Sequence, residues 1–202
     1  MISQPPILEL LPIEMPAMRG SHAVFPGLYF AATAPSSQHF RGGAVFESLD
    51  DWDSHSQICA IRKLATAGLL WWQSDTEARV LLTFGELSSC TARQVELGHN
   101  RAVAGSEVLG FHRAEMQPDG HYLLTVPVRG IHGTDLGGPG NPCQFVLLDD
   151  AIAFYELPPD TLSYEREYKA ACAGQDLDKL MPVAVTPRGV NSRRFDAIMG
   201  RV

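Results

Sequence analysis

Apolar and polar positions follow two different periods in the first third of the chain. Gly27–Ala32 is a short apolar run, and Ala44–Phe46 is another that follows the Arg41-Gly42-Gly43 turn; both read as strands. From Ser48 the spacing changes, with Ile58, Ile61, Leu64 and Ala65 recurring at intervals of three and four. Ser48 stands where an N-cap is wanted, Asp50 and Asp51 occupy a first turn whose dipole favours acids, and Gly68 closes the segment. This pattern predicts one long helix of about 18 residues.

Beyond Leu69 the signals are β: Leu69–Gln73, Arg79–Phe84, Glu107–Ala114, His121–Arg129 and Gln144–Leu148, with Ile152–Glu156 as a further candidate. Tyr122, Leu124, Val126 and Val128 alternate with His121, Leu123, Thr125 and Pro127, which gives one apolar face. Gln117-Pro118-Asp119-Gly120 predicts a tight turn and hence a hairpin, because proline presets its second position and glycine relieves its fourth. After Pro158 and Pro159 a helical spacing returns in Tyr164, Tyr168, Ala171 and Cys172, with Asp160 or Thr161 as cap and Gly174 as stop. Ser192–Met199 allows a short final helix.

The expected fold class is therefore α+β: a mainly antiparallel central sheet, one long helix before most strands, and short helices at the C-terminus. Residues 1–26 carry Pro5, Pro6, Pro12, Pro16 and Pro26, too many for a helix or a central strand, and read as an extended arm. Residues 27–174 read as the globular domain and 175–202 as a basic tail, with four arginines against one aspartate in its last fifteen positions.

Composition narrows the function classes. Of 202 residues 45% are hydrophobic and 19% charged, enough for a sizeable core. The longest apolar run, Ala67–Trp72, is far short of the ~20 residues that cross a bilayer, so no membrane partner is expected. Sixteen basic against twenty-three acidic residues leave a net charge of -7, opposite in sign to a nucleic-acid footprint. Met1–Met18 contains no lysine or arginine and its apolar stretch is broken by proline, which points away from a secretory signal and to the cytoplasm. Cys59, Cys90, Cys143 and Cys172 include no Cys-x-x-Cys pair, so reduced thiols are expected, with no metal and no cofactor.

Phosphate loops, dinucleotide turns and nucleophile elbows are absent, so candidate chemistry rests on constellations. Cys90 and His112, with Ser89 beside the thiol, lie twenty-two positions apart on segments that adjacent strands could bring together, a closeness that the sequence leaves open. An imidazole beside a thiol supports thiolate attack on an amide or acyl carbon, and the backbone near Ser89 would hold the oxyanion. The loop Gly130–Gly140 holds five glycines, which permits repeated positive φ or close approach of a ligand; His132, Gly133, Asp135, Gly137 and Gly138 are its candidate binding residues. Trp52, Trp71 and Trp72 are candidates for stacking or for an interface.

Three partial resemblances follow from these residues. Leu87-Ser88-Ser89-Cys90 with His112 resembles the Leu-Ser-Gly-Cys and His pattern of bacterial toxin glutamine deamidases, with Ser89 in place of the glycine. Ser89 and His112 are similar in spacing to the Ser and His of Clp-like proteases. Gly27-Leu28-Tyr29-Phe30-Ala31, with Phe145-Val146 and Asp149, is similar to stretches of the ADP-ribosyltransferase fold, but the His-Gly-Ser/Thr element is missing and Gln144 stands near the expected glutamate. The first reading is a partner-binding or assembly protein, joined to a protein partner or to copies of itself. The alternatives are a Cys/His-dependent amide hydrolase or acyl transferase, and an ADP-ribosyltransferase-like fold.

Overall fold

The computed structural model describes residues 5–136, 140–158 and 162–192, and they build a β-rich fold in place of the expected α+β arrangement. The strands are β1 (Glu9–Ile13), β2 (Gly27–Thr33), β3 (Gly43–Ser48), β4 (Ser56–Ile61), β5 (Ala67–Trp72), β6 (Glu77–Phe84), β7 (Arg101–Ala104), β8 (Glu107–Gly110), β9 (Arg113–Met116), β10 (Tyr122–Thr125), β11 (Cys143–Leu147), β12 (Ala153–Glu156), β13 (Arg166–Cys172) and β14 (Val183–Val185). A single-turn helix, α1 (Ala92–Glu96), lies between β6 and β7 and is closed by a capping box of Thr91 with Gln94. Every pairing between these strands is antiparallel.

The long helix predicted from Ser48 is replaced by a turn, β4 and the start of β5. Its capping signals are spent locally: the Ser48 hydroxyl accepts from the backbone N–H of Asp50 and Trp52, and Asp51 and Trp52 adopt left-handed φ of 51° and 72°. The apparent helical spacing comes from a bulge. Val45 faces Cys59 but Phe46 faces Gln57, so Ile58 is an extra residue and the alternation of the strand slips by one. The second predicted helix is β13, which pairs with β3 and β14 and is buried at every position except Glu167. The final helix proposed from Ser192 lies beyond Ser192 outside the described residues.

The chain divides into two compact units. The first runs to Leu64 and resumes at Asp150, and the second, Ala65–Asp149, is inserted between β4 and β12. In the first unit a three-stranded sheet, β1-β2-β12, and a four-stranded sheet, β14-β13-β3-β4, meet along two margins, with β1 beside β13 and β12 beside β4. All seven residues of β2 are buried, and the Phe30 ring meets Tyr168 edge-on at 4.9 Å. Part of the proline-rich arm thus forms an edge strand, with Pro12 opposite Phe30; an edge tolerates a missing N–H. Asn191 locks the opening of β2: its side chain accepts from Gly27 N–H and donates to the carbonyls of His22 and Phe25. Lys63 and Asp150, where the chain leaves this unit and returns, form an ion pair at 2.5 Å.

In the second unit the order is β8-β7-β11-β5-β6-β10-β9. β8 and β9 are two parts of one run, interrupted at Phe111–His112, and both join the β10 segment. β9 pairs with β10 directly, Gly110 bridges Val128, and His112 N–H donates to the Thr125 carbonyl. The ladder therefore returns on itself as a small barrel, which removes exposed edges. Its interior is filled by Leu70, Val80, Ala102, Leu109, Phe111, Tyr122, Leu124 and Phe145. Gly68 sits at a register shift where a Cβ would fall 2.0 Å from the Leu81 carbonyl oxygen, so no other residue fits that crossing. The Gln117–Gly120 turn joins β9 and β10 as predicted, closed by Gly120 N–H to the Gln117 carbonyl.

Candidate functional site

Ser88–Cys90 runs as an extended segment against His112–Ala114. Cys90 N–H donates to the His112 carbonyl at 2.8 Å, Ser89 Oγ accepts from Ala114 N–H at 3.0 Å, and Asn100 donates to the Ser88 carbonyl at 2.7 Å. The segments of Cys90 and His112 therefore meet through the backbone. Their side chains have other surroundings. The Cys90 thiol lies 3.7 Å from the Phe111 carbonyl, to which it donates, and burial pushes its pKa above the ordinary thiol range. His112 Nδ1 is buried with no hydrogen-bond partner among the described residues. A thiol that donates to a carbonyl and is raised in pKa is held protonated, whereas a nucleophile needs the thiolate.

The glycine-rich loop begins as a pinned turn. Gly130, His132 and Gly133 take left-handed φ of 60°, 57° and 67°, and Gly133 N–H donates to the Gly130 carbonyl at 2.8 Å. Thr134 fixes the turn to β8 by accepting from Val108 N–H and donating to the Ile131 carbonyl. His132, Gly133 and Asp135 are exposed at its surface. Gly137 and Gly138 lie outside the described residues.

Beside this loop is a polar cluster whose residues belong to no sequence motif. Glu107, fully buried, accepts from Arg129 Nε at 2.8 Å and Arg129 Nη2 at 2.6 Å, and from Gly130 N–H at 3.2 Å. The Arg129 guanidinium also covers the Trp72 ring, 3.8 Å from its centroid. Hydrogen bonding to Glu107 raises the Arg129 pKa further, and burial, followed by the Glu107 charge, raises that of Cys143. The signal was present in the sequence: Glu107 has the same parity as Leu109 and Phe111, so a strand there turns it inward with them. A carboxylate placed inward needs a cation, and Arg129 supplies it.

The tryptophans divide between these settings. Trp52 donates from its indole to Glu167 at 2.6 Å under the Lys169 ammonium, and Trp71 meets the His121 ring edge-on. All four cysteines are free thiols, and among the described residues no group of three acidic, histidine or cysteine side chains is placed to hold a metal ion. No helix among the described residues is long and apolar enough to cross a membrane.

No curated protein matches the chain. A family model described as Rcc01698-like, C-terminal, matches residues 60–142, a stretch that takes in most of the barrel unit and to which this part of the chain is similar.

Proposed function

We propose that this chain is a non-catalytic partner-binding or assembly protein that works in the reducing cytoplasm and engages protein rather than nucleic acid or membrane. The observation that carries the reading is an apolar stripe on the outside of the barrel. Leu69 and Leu81 are direct cross-strand partners and remain 45% and 42% exposed, with Trp71 and Leu123 on the same face beside Arg79 and His121. Contiguous apolar surface on regular strands marks interaction sites, since single scattered residues satisfy solubility at lower cost. The competing reading, an amide hydrolase or acyl transferase, rests on the adjacency of Cys90 and His112, and the protonated state of the thiol weighs against it.

The test is a double substitution, Leu69→Asp with Leu81→Asp, in the full chain. Loss of co-purifying protein from native cells, or of self-association in sedimentation velocity, while Cys90→Ala retains both, is the expected outcome. Unchanged association in the stripe variant, or its loss in Cys90→Ala, would refute the reading.

A further inference from the structure

The four-stranded sheet of the first unit carries an unusual row on its outer face. The pairing places Ala171 opposite Ala44 and Ala44 opposite Ala60, so three adjacent strands present alanine at the same level. The next level in one direction holds Phe46; in the other, Arg62 follows Ala60 by two positions, with Arg41 at the same end. Small side chains between taller ones leave a trough. At strand and residue spacings it measures ~10 Å across the three strands and ~13 Å between its walls, and it forms a cavity of about 570 Å³. That is within the range of roughly 300–1,000 Å³ typical of small-ligand sites.

The electrostatics of the trough run against those of the chain. Twenty-three acidic against sixteen basic residues give the protein its net charge of -7, yet among the described residues no carboxylate lines this cavity. Among the described residues Arg62 has no ion-pair partner and Arg41 reaches only the carbonyl of its neighbour Phe40, at 3.4 Å. Two guanidiniums without carboxylates, at one end of an apolar floor with an aromatic wall, are complementary to a ligand of matching polarity. A long polyanion would feel the whole molecule's negative charge, whereas a ligand with one anionic group within a Debye length of ~8 Å is governed by the nearest cations.

We propose that this trough binds a small organic anion, with a flat apolar body lying across Ala171, Ala44 and Ala60 against Phe46 and a carboxylate or phosphate held by Arg41 and Arg62. Guanidinium takes either group through paired N–H donors. The three alanines carry no hydrogen-bonding group; of the two glutamines in the lining, Gln175 is tied to Cys172 N–H and the Pro6 carbonyl and Gln57 stands opposite Phe46, so the body is recognised chiefly by shape and the head by charge. The site stands on the first unit alone and does not depend on the protein-partner reading.

The experiment is a titration of the full chain with four probes, followed by amide chemical shifts: 2-naphthoate, 2-naphthyl phosphate, the neutral 2-naphthol and inorganic phosphate. Expected are saturable shifts at Ala44, Ala60 and Ala171 with both anionic naphthalenes, and at least tenfold weaker binding of 2-naphthol and of phosphate alone. The relative affinity of the carboxylate and the phosphate identifies the head group. Arg41→Glu with Arg62→Glu, at two exposed positions, is expected to weaken the anionic probes at least tenfold while leaving 2-naphthol unchanged. Ala60→Trp, which fills the floor without altering charge, is expected to abolish binding of all the ring compounds. Equal binding of 2-naphthol and 2-naphthoate, phosphate alone binding as tightly as its naphthyl ester, shifts centred elsewhere, or indifference to the charge variant would each overturn the proposal.

Discussion

Glu107→Ala tests the reading of the barrel's buried polar cluster most directly. The substitution removes both charge-assisted bonds to Arg129 and the acceptor for Gly130 N–H, and leaves a cavity where a fully buried side chain stood. Breaking a buried pair from one side costs about 3–5 kcal/mol, because the partner charge is left without compensation. Here the partner is at the margin: the Arg129 side chain is 17% exposed and keeps the face of Trp72. It can turn toward water, so the lower end of that range, about 3 kcal/mol, is expected. With an m-value of ~2 kcal/mol/M, the urea midpoint of the barrel transition falls by roughly 1.5 M. Equilibrium unfolding read by tryptophan fluorescence suits the measurement, since Trp72 lies directly under the guanidinium. Glu107→Leu combined with Arg129→Met is expected to recover most of the loss, because neither charge then remains buried. A Glu107→Ala midpoint within ~0.25 M of the parent, or a double variant as unstable as the single one, would show that the pair does not hold the barrel.

Three further outcomes follow from the geometry. Asn191→Ala leaves Gly27 N–H and the carbonyls of His22 and Phe25 without their shared partner, and is expected to lower stability by about 2–3 kcal/mol in thermal unfolding; a change below ~0.5 kcal/mol would mean water replaces the amide freely. Thiol labelling of the native chain at pH 8 is expected to be slow throughout. Burial pushes Cys59 to about 11 and raises Cys90, Cys143 and Cys172, so a single fast-reacting thiol at Cys90 would revive the nucleophile. His22, stacked on Phe154 at 4.1 Å, has its pKa held below 6.5 by burial and then by Arg19. The unfolded chain therefore takes up that proton first, and the contribution to stability is present above pH 6.5 and is lost as pH falls through the folded value. His22→Phe is expected to flatten the decline measured by denaturant titration between pH 7 and 5; an identical pH profile in the variant would exclude His22 as its source.

Strands were legible where alternation was clean and turn chemistry unambiguous, as in β10 and the Gln117–Gly120 hairpin. They were misread where a bulge shifted the phase. Ile58 turns the alternation of β4 into a spacing of three and four, and Ser48, a strong cap by residue type, instead holds a turn by accepting from the N–H groups two and four positions on. In β13 the stripe Tyr164, Tyr168, Ala171 and Cys172 was one selection from a run in which Tyr168, Ala170 and Cys172 is the other, and pairing with β3 decides between them. For Cys90 and His112 the sequence allowed adjacency without fixing it, and the direction of the thiol depends on the Phe111 carbonyl, which no spacing rule reports. The alanine row exists only in the register of three strands, two of which lie more than a hundred residues from the third.

The order of synthesis gives the insertion at Leu64 a consequence. The barrel is one contiguous stretch and can close as soon as β11 has left the ribosome, whereas β2 and β3 must wait for β12 and β13, made from residue 153 onward. Until then the nascent first half carries Leu28, Phe30 and Val45 without their eventual cover, and only the β1–β2 and β3–β4 hairpins are at hand to shield them. The interval between those two events is when the chain is most exposed to mispairing and most in need of a chaperone.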